Sequence, residues 1–225
     1  MKFHTILFDL DGTLLNTLED LTDSTNYAME QMGYPRHTLE EVRSFVNNGA
    51  RKLILGACPP GTPEEEIDRC LGIFQAHYKT HLEVKTKPYP GILELLEQLQ
   101  ARGVKVGVVS NKFDGAVKPL CQRYFGQRIG VAVGEHEAEG VRRKPWPDTV
   151  FEALKALNAP AEGALYVGDS DVDILTARNA GLPCLSVSWG FRPRESLVAA
   201  GAKYIADRVE DFLPVMERME DECKA

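Results

Sequence analysis

Four short apolar runs in the sequence have the pattern of buried β-strands. Each is partly β-branched or aromatic and apolar at successive positions, which is typical of strands covered on both faces. The runs span residues 3–8, 104–109, 164–167 and 183–187. Between them, apolar residues recur at helical spacing over 92–99 and 150–157. This alternation of strand and helix predicts an α/β fold in which helices cover a parallel sheet.

A long segment near the N-terminus departs from this alternation. Residues 17–83 show helical patterns and no convincing strand, and turn-forming Gly and Pro residues separate the patterns. The predicted helices span 18–32, 38–46, 49–56 and 63–81. We therefore expect an inserted all-helical subdomain at 17–83 and a discontinuous core formed by 1–16 and 84–225.

Composition narrows the possible partners. The chain has 225 residues, 44% hydrophobic and 26% charged, as in a globular protein, and its five cysteines form no close pair, so we expect reduced thiols. Its formal net charge is −7 and it has no long basic tract, so we expect no nucleic-acid partner.

No stretch approaches the roughly 20 apolar residues of a membrane span, and the first residues do not resemble a secretory signal. We expect no membrane partner, a cytoplasmic location, and either a monomer or a small homo-oligomer.

Two aspartates follow the first predicted strand. Asp9 and Asp11 are two residues apart, so their carboxylates point to the same side if the chain remains extended. Repulsion between close carboxylates raises the pKa of one of them unless a bound metal or a shared proton balances the charge. The alternative interpretation is an Asp-Gly turn, which is common after strands.

A second acidic cluster follows the predicted strand at 164–167. Asp169, Asp171 and Asp173 lie there, and Ser170 with Asp173 also fits a capping box at the start of a helix. Capping explains one or two of these acids but not a third beside them, nor the similar end of the first strand. Oxygen-rich clusters of this kind suit Mg²⁺.

Two further features complete a possible phosphate site. Ser110 and Asn111 follow the predicted strand at 104–109, and Lys144 precedes the helix that begins near Pro147. Taken singly, a Ser-Asn pair after a strand is typical of a turn, and a lone lysine of a solvated surface. Together they place a hydroxyl donor and an ammonium at the same sheet edge as the carboxylates. That combination indicates a phosphate site with a metal.

These motifs, in this order, resemble the haloacid dehalogenase-like superfamily of aspartate-nucleophile phosphatases. The signature is Asp-x-Asp-x-Thr at Asp9 to Thr13, then Ser110, Lys144 and the acidic pair Asp169 and Asp173, and the resemblance covers nearly the whole chain. The stretches at 167–174, 180–183 and 189–191 are similar to the phosphoglycolate phosphatase-like branch. The resemblance implies a Rossmann-like, doubly wound core with a helical cap inserted between the first and second motifs.

The resemblance also implies roles for individual residues. Asp9 would be the nucleophile that forms an aspartyl-phosphate, and Asp11 the general acid and base. Mg²⁺ would be held by Asp9, the backbone carbonyl of Asp11 and Asp169, with Asp173 as a further ligand or as a residue that orients the others. The implied catalytic set is Asp9, Asp11, Ser110 and Lys144.

The implied substrate is a small phosphorylated metabolite, with 2-phosphoglycolate as the first candidate. The predicted substrate-binding residues are Thr13, Ser110, Asn111, Lys144 and, in the cap, Arg51, for which a solvated surface position is the alternative. A pyrophosphatase or a sugar-phosphate mutase would share the same core. From a different class, a phospho-accepting receiver domain combines similar residues, but receivers need only about 120 residues and no cap. A catalytically inactive binding relative is a third alternative, although no motif residue is missing.

Overall fold

The computed structural model describes residues 2–46 and 49–222. The strands are β1 Thr5–Phe8, β2 Leu15–Asn16, β3 Lys87–Pro88, β4 Lys105–Phe113, β5 Val131–Glu135, β6 Ala164–Gly168, β7 Cys184–Val187 and β8 Tyr204–Ala206. The helices are α1 Leu18–Met32, α2 Leu39–Phe45, α3 Ala50–Ala57, α4 Glu64–His81, α5 Ile92–Ala101, α6 Asp114–Phe125, α7 Asp148–Ala156, α8 Asp171–Ala180, α9 Arg194–Ala199 and α10 Phe212–Glu222.

The chain divides into two compact units. One consists of Met1–Leu15 and Pro88–Ala225, and the other of Asn16–Lys87. The second unit contains α1 to α4, which match the predicted helices to within a residue or two at each end. In this unit α1 packs on α4, and the buried carboxylate of Asp20 accepts hydrogen bonds from the backbone N–H groups of Lys85 and Thr86. Asp20 thereby ties the first helix to the segment that leaves the unit.

The first unit is built on a parallel sheet. Over the described residues it has six strands in the order β5-β4-β1-β6-β7-β8. β1 pairs with β4 on one side and with β6 on the other, in register Phe8 to Val108 and Phe8 to Val167. The strand order therefore reverses at β1, which makes the carboxyl end of β1 the switch point where ligands bind in sheets of this type.

Helices cover both faces of this sheet. Successive side chains of a strand point to opposite faces. Leu7 belongs to a buried cluster with residues of α7 and α8, including Leu154 and Ala177, whereas the ring of Phe8 lies 5.6 Å from that of Phe212 in α10. The predicted α/β fold, with its doubly wound parallel sheet and inserted helical region, is confirmed.

The structure adds several elements to the sequence prediction. β4 continues past Val109 to Phe113, with an irregular register at that point, so Ser110 and Asn111 belong to the strand instead of a turn after it. The strands β2, β3, β5 and β8 and the helices α6, α9 and α10 were not predicted. In α6 the regular apolar spacing is interrupted by Gly115 and by Pro119, which lies inside the helix.

Two further observations concern the cysteines and the helices that could span a membrane. Cys58, Cys70 and Cys121 are buried and Cys184 is half-buried, all as free thiols, while Cys223 lies outside the described residues. Within the described part of the chain, no helix has both the length and the hydrophobicity of a membrane span.

Candidate active site

Three strand ends bring the predicted site residues together. Asp9 follows β1 directly, Ser110 lies in β4, and Asp169 follows β6. Because β4, β1 and β6 are adjacent and parallel, their carboxyl ends share one edge of the sheet. Lys144 reaches this edge from the segment that precedes α7, and it is also buried.

A buried acidic group forms the centre of the site. One carboxylate oxygen from each of Asp9, Asp169 and Asp173 lies within 4.8 Å of the others. The ammonium of Lys144 lies 2.9 Å from Asp9 Oδ1 and donates to Asp173 Oδ1 at 2.7 Å. Three carboxylates thus face one ammonium, which leaves a surplus of two negative charges when all are ionised.

The pKa values of the group follow from this surplus and from burial. Burial, together with the neighbouring carboxylates, raises the pKa of Asp9 well above its ordinary value, although Lys144 opposes the shift. Burial and the charge of Asp173 raise the pKa of Asp169 to about 7. Burial lowers the pKa of Lys144, but Asp173 and Asp9 more than offset that effect and hold it well above its usual range. The two carboxylates therefore favour the charged form of Lys144.

The Asp169 carboxylate fits tightly between two glycines. A Cβ at Gly12 would lie 2.3 Å from Asp169 Oδ2, and one at Gly190 would lie 2.4 Å from Asp169 Cβ. Gly12 also has a φ of +84°, a backbone region that favours glycine. The backbone N–H of Phe191 donates to Asp169 Oδ2 at 2.7 Å, and the hydroxyl of Thr13 donates to Oδ1 at 3.3 Å. Thr13, predicted to bind substrate, therefore contacts a candidate metal ligand.

Asp173 accepts hydrogen bonds from Ser170 and Tyr166 as well as from Lys144. Ser170 caps α8, and its hydroxyl donates to Asp173 Oδ2 at 2.5 Å while its backbone N–H donates to the same oxygen at 3.1 Å. The Tyr166 hydroxyl donates to Asp173 Oδ1 at 3.3 Å. The capping box read from the sequence is present, and its acidic member also holds Lys144.

Asn111 positions the backbone of Lys144. Its side-chain Oδ1 accepts the N–H of Lys144 at 2.9 Å, and its Nδ2 donates to the carbonyl of Lys144 at 3.1 Å. The Ser110 hydroxyl is almost fully buried and accepts the N–H of Lys112 at 3.2 Å. Ser110 and Asn111 of β4 therefore contact the backbones of Lys112 and Lys144.

Lys112 also belongs to this site, although the sequence motifs predicted no role for it. Its ammonium donates to both carboxylate oxygens of Asp11, at 2.9 and 3.1 Å. Asp9 and Asp11 thus have different lysine partners. A strand prediction that continued past Val109 would have placed Ser110 and Lys112 on one side, because side chains alternate along a strand.

Arg51 lies in the helical unit. Its guanidinium forms ion pairs with Glu64 and Asp68 of the same unit. These contacts occupy the group that would bind an anionic substrate, so the role of Arg51 in substrate binding stays a prediction. The indole N–H of Trp189 donates to the carbonyl of Thr13 at 3.0 Å.

The donor set fits a divalent cation. Mg²⁺ prefers carboxylate and other oxygen ligands, and it is commonly bound by one or two carboxylates beside a substrate phosphate. Asp9 and Asp169 supply such oxygens, and the surplus of two negative charges around Lys144 matches a doubly charged ion.

The chain belongs to the haloacid dehalogenase-like hydrolases, whose family profile matches residues 6–187. Similar proteins include phosphoglycolate phosphatase 1 of Pseudomonas aeruginosa, 31% identical over 95% of this chain and 79% of that protein. The N-acetylmuramic acid 6-phosphate phosphatase of the same organism is 31% identical over 99% of each chain. A crystal structure of a candidate phosphoglycolate phosphatase from Lactobacillus delbrueckii subsp. bulgaricus is 37% identical, with a TM-score of 0.90 over 94% of this chain and 97% of that one.

Proposed function

We propose that the protein is a Mg²⁺-dependent phosphomonoester hydrolase that uses Asp9 as its nucleophile. The observation that carries this proposal is the buried group of Asp9, Asp169 and Asp173 around Lys144, at the switch point of the sheet. Membership of the haloacid dehalogenase-like hydrolases and similarity to phosphatases over most of the chain support it.

Hydrolysis would proceed in two displacements. An oxygen of Asp9 attacks phosphorus, the bond from phosphorus to the bridging oxygen breaks, and Asp11 gives a proton to the departing oxygen. Asp11 then takes a proton from water as that water attacks the aspartyl-phosphate, which releases phosphate and restores Asp9. The known contacts of Asp9, from Lys144 and from the N–H of Leu10 at 2.7 Å, both fall on Oδ1. We therefore assign the attack to Oδ2.

The remaining site residues position the phosphoryl group and balance its charge. The Ser110 hydroxyl and the backbone near Asn111 would donate hydrogen bonds to phosphoryl oxygens. Lys144, held by Asp173 and by the Asn111 side chain, would offset the negative charge that the phosphoryl group brings to Asp9. Such groups act by being fixed in place before the reaction begins.

Mg²⁺ would be held by Asp9, the backbone carbonyl of Asp11 and Asp169. When bound, it would reduce the repulsion between an anionic carboxylate and an anionic phosphoryl group. The ammonium of Lys144 donates to Asp173 Oδ1, whereas Phe191 and Thr13 give Asp169 uncharged donors. We therefore assign Asp173 to orienting Lys144 and Asp169 to the metal.

The first candidate substrate is 2-phosphoglycolate, because several relatives that cover most of this chain are phosphoglycolate phosphatases. A second candidate is N-acetylmuramic acid 6-phosphate. The relative that acts on it matches this chain from end to end, with 99% of each covered, whereas the chain covers 79% of phosphoglycolate phosphatase 1. Both substrates are phosphate monoesters, so the proposed chemistry is the same for each.

A substrate panel tests this proposal. Phosphate release would be measured with 2-phosphoglycolate, N-acetylmuramic acid 6-phosphate, other sugar phosphates and pyrophosphate, each in Mg²⁺ or in EDTA. We expect Mg²⁺-dependent release, with the highest kcat/KM for 2-phosphoglycolate. A preference for pyrophosphate, or conversion of a sugar phosphate to its isomer without phosphate release, would reassign the activity within the family.

The Asp9→Asn variant tests the nucleophile. We expect it to lose at least about a thousand-fold in kcat, since the covalent step has no substitute, and to keep the circular dichroism spectrum of the wild type. The matched control is Asp171→Asn, an exposed aspartate in the first turn of α8, which we expect to retain the wild-type rate. Retained activity in Asp9→Asn would refute the covalent mechanism.

A further inference from the structure

Two buried lysines of the site contact different carboxylates. Lys144 contacts Asp9 and Asp173, and Lys112 contacts Asp11. The side chain of Lys112 is only 4% exposed, and that of Asp11 is 14% exposed. Burying an ammonium is unfavourable unless an anion faces it, so a second buried lysine at this edge of the sheet calls for a role.

The positions of the two lysines differ with respect to the reaction. Under the proposed function Asp9 faces phosphorus and Asp11 faces the bridging oxygen of the leaving group. Lys144 therefore lies on the phosphoryl side. Lys112, with its ammonium 2.9 Å from Asp11 Oδ1, lies beside the first atoms of the leaving group.

We propose that Lys112 is a specificity-determining residue that pairs with an anionic group one carbon away from the bridging oxygen of the substrate. This inference rests on the proposed function and defines its substrate class as phosphate esters of 2-hydroxy acids. An ammonium has several N–H donors and can bridge Asp11 and a substrate carboxylate at the same time. A neutral hydroxyl in the same place gains a weaker hydrogen bond, because charge-assisted hydrogen bonds are roughly twice as strong.

Two matched substrates isolate this contact. 2-Phosphoglycolate and 2-hydroxyethyl phosphate share the phosphoryl group and the adjacent CH₂, and differ in carrying a carboxylate or a CH₂OH group. The quantity measured is the ratio of their kcat/KM values in wild type, Lys112→Met and Lys112→Arg. We expect Lys112→Met to lower the preference for 2-phosphoglycolate by about 10- to 100-fold, the range expected for hydrogen bonds to charged groups. Lys112→Arg, which keeps the charge, should retain part of the preference.

The control variant is Lys105→Met on the same strand. Lys105 is the first residue of β4, and its ammonium donates to the carbonyls of Leu157 and Asn158. We expect the ratio of Lys105→Met to equal that of the wild type. Thermal unfolding of each variant shows whether it is folded, and Lys112→Arg provides the test of charge if Lys112→Met does not fold.

The possible outcomes separate this inference from the proposed function. An equal loss on both substrates in Lys112→Met would mean that Lys112 only holds Asp11 in place, and would overturn the inference. A wild-type enzyme that hydrolyses esters without preferring the carboxylate would overturn it too, while leaving the hydrolase function intact. A wild type that releases phosphate from no ester would refute the proposed function, and the inference with it.

Discussion

At the residue scale, the candidate site depends on how closely a few backbones approach Asp169. Gly12 and Gly190 contact its carboxylate from two segments that are far apart in sequence, and the N–H of Phe191 donates to it. Groups that orient a metal ligand commonly change metal affinity when they are altered, although they do not touch the metal. Gly190 is the clearest such position, because its φ is one that other residues also adopt. Only the space that a Cβ would occupy there requires glycine.

We expect Gly190→Ala to weaken divalent-ion binding by at least about 10-fold, because the new methyl group would lie 2.4 Å from both Asp169 Cβ and the carbonyl oxygen of Gly12 and would displace the Asp169 carboxylate. Calorimetric titration of Mg²⁺ into the variant and the wild type measures this effect without relying on turnover. The control is Gly72→Ala in α4, where a Cβ would meet no atom within 4 Å. That substitution should leave ion affinity unchanged and stabilise the helix by roughly 0.5–1 kcal/mol. Unaltered affinity in Gly190→Ala would show that the loop does not position Asp169.

At the element scale, the start of α8 joins helix capping to the site. Ser170 and Asp173 form a capping box, and Asp173 also holds Lys144. α2 begins with a capping box of the same kind, formed by Thr38 and Glu41, in which Glu41 is exposed. The two boxes share their local chemistry but differ in what the acidic member contacts, so they form a natural matched pair.

Substitutions in these two capping boxes should show that the effect on stability and the effect on activity can be separated. Ser170→Ala and Thr38→Ala should each lower the free energy of unfolding by about 1 kcal/mol, the usual cost of losing an N-cap side chain. Only Ser170→Ala should also lower kcat, by roughly 10-fold or more, because Asp173 loses the hydroxyl that holds it against Lys144. Urea denaturation and phosphate-release assays on both variants measure the two effects. Equal activity of the two variants would contradict a link between the α8 cap and Lys144.

At the scale of the whole molecule, the charge surplus of the site couples global stability to pH and to metal ions. The pKa of Asp169 in the folded protein is raised to about 7 by burial and by Asp173, against an ordinary value of 3.8. A carboxyl group whose pKa is higher in the folded state than in the unfolded state binds its proton more tightly when folded. The free energy of unfolding therefore falls as pH rises from about 4 to about 7.

We expect metal-free protein in EDTA to lose about 1–3 kcal/mol of unfolding free energy between about pH 5 and about pH 7. Saturating Mg²⁺ should make this loss much smaller, because the ion binds the ionised carboxylates of the folded state. Urea denaturation at each pH measures the change, and Asp169→Asn should reduce the slope seen in EDTA. A stability that rises over this range in EDTA, or a slope that Mg²⁺ leaves unaltered, would contradict the assignment of Asp169.

Much of the fold is local in origin and could be predicted from the sequence. The apolar runs that became β1, β6 and β7 are continuous because both faces of the sheet are covered, and the helices α1 to α4 follow a plain helical spacing. The weaker elements escaped prediction. β5 is only half-buried over much of its length and α6 contains Pro119, so neither carries a clear apolar pattern.

By itself the sequence determined the α/β class and the inserted helices, because each depends on residue types at short spacing, and the order of its acidic, serine and lysine motifs predicted which residues would form the site. Only the tertiary structure decided which lysine meets which carboxylate. Lys144 is 135 positions from Asp9, and Lys112 is 101 from Asp11, so no local pattern could pair them. The parallel order of β4, β1 and β6 makes those pairs, since it brings distant strand ends to one edge where buried charges must find partners.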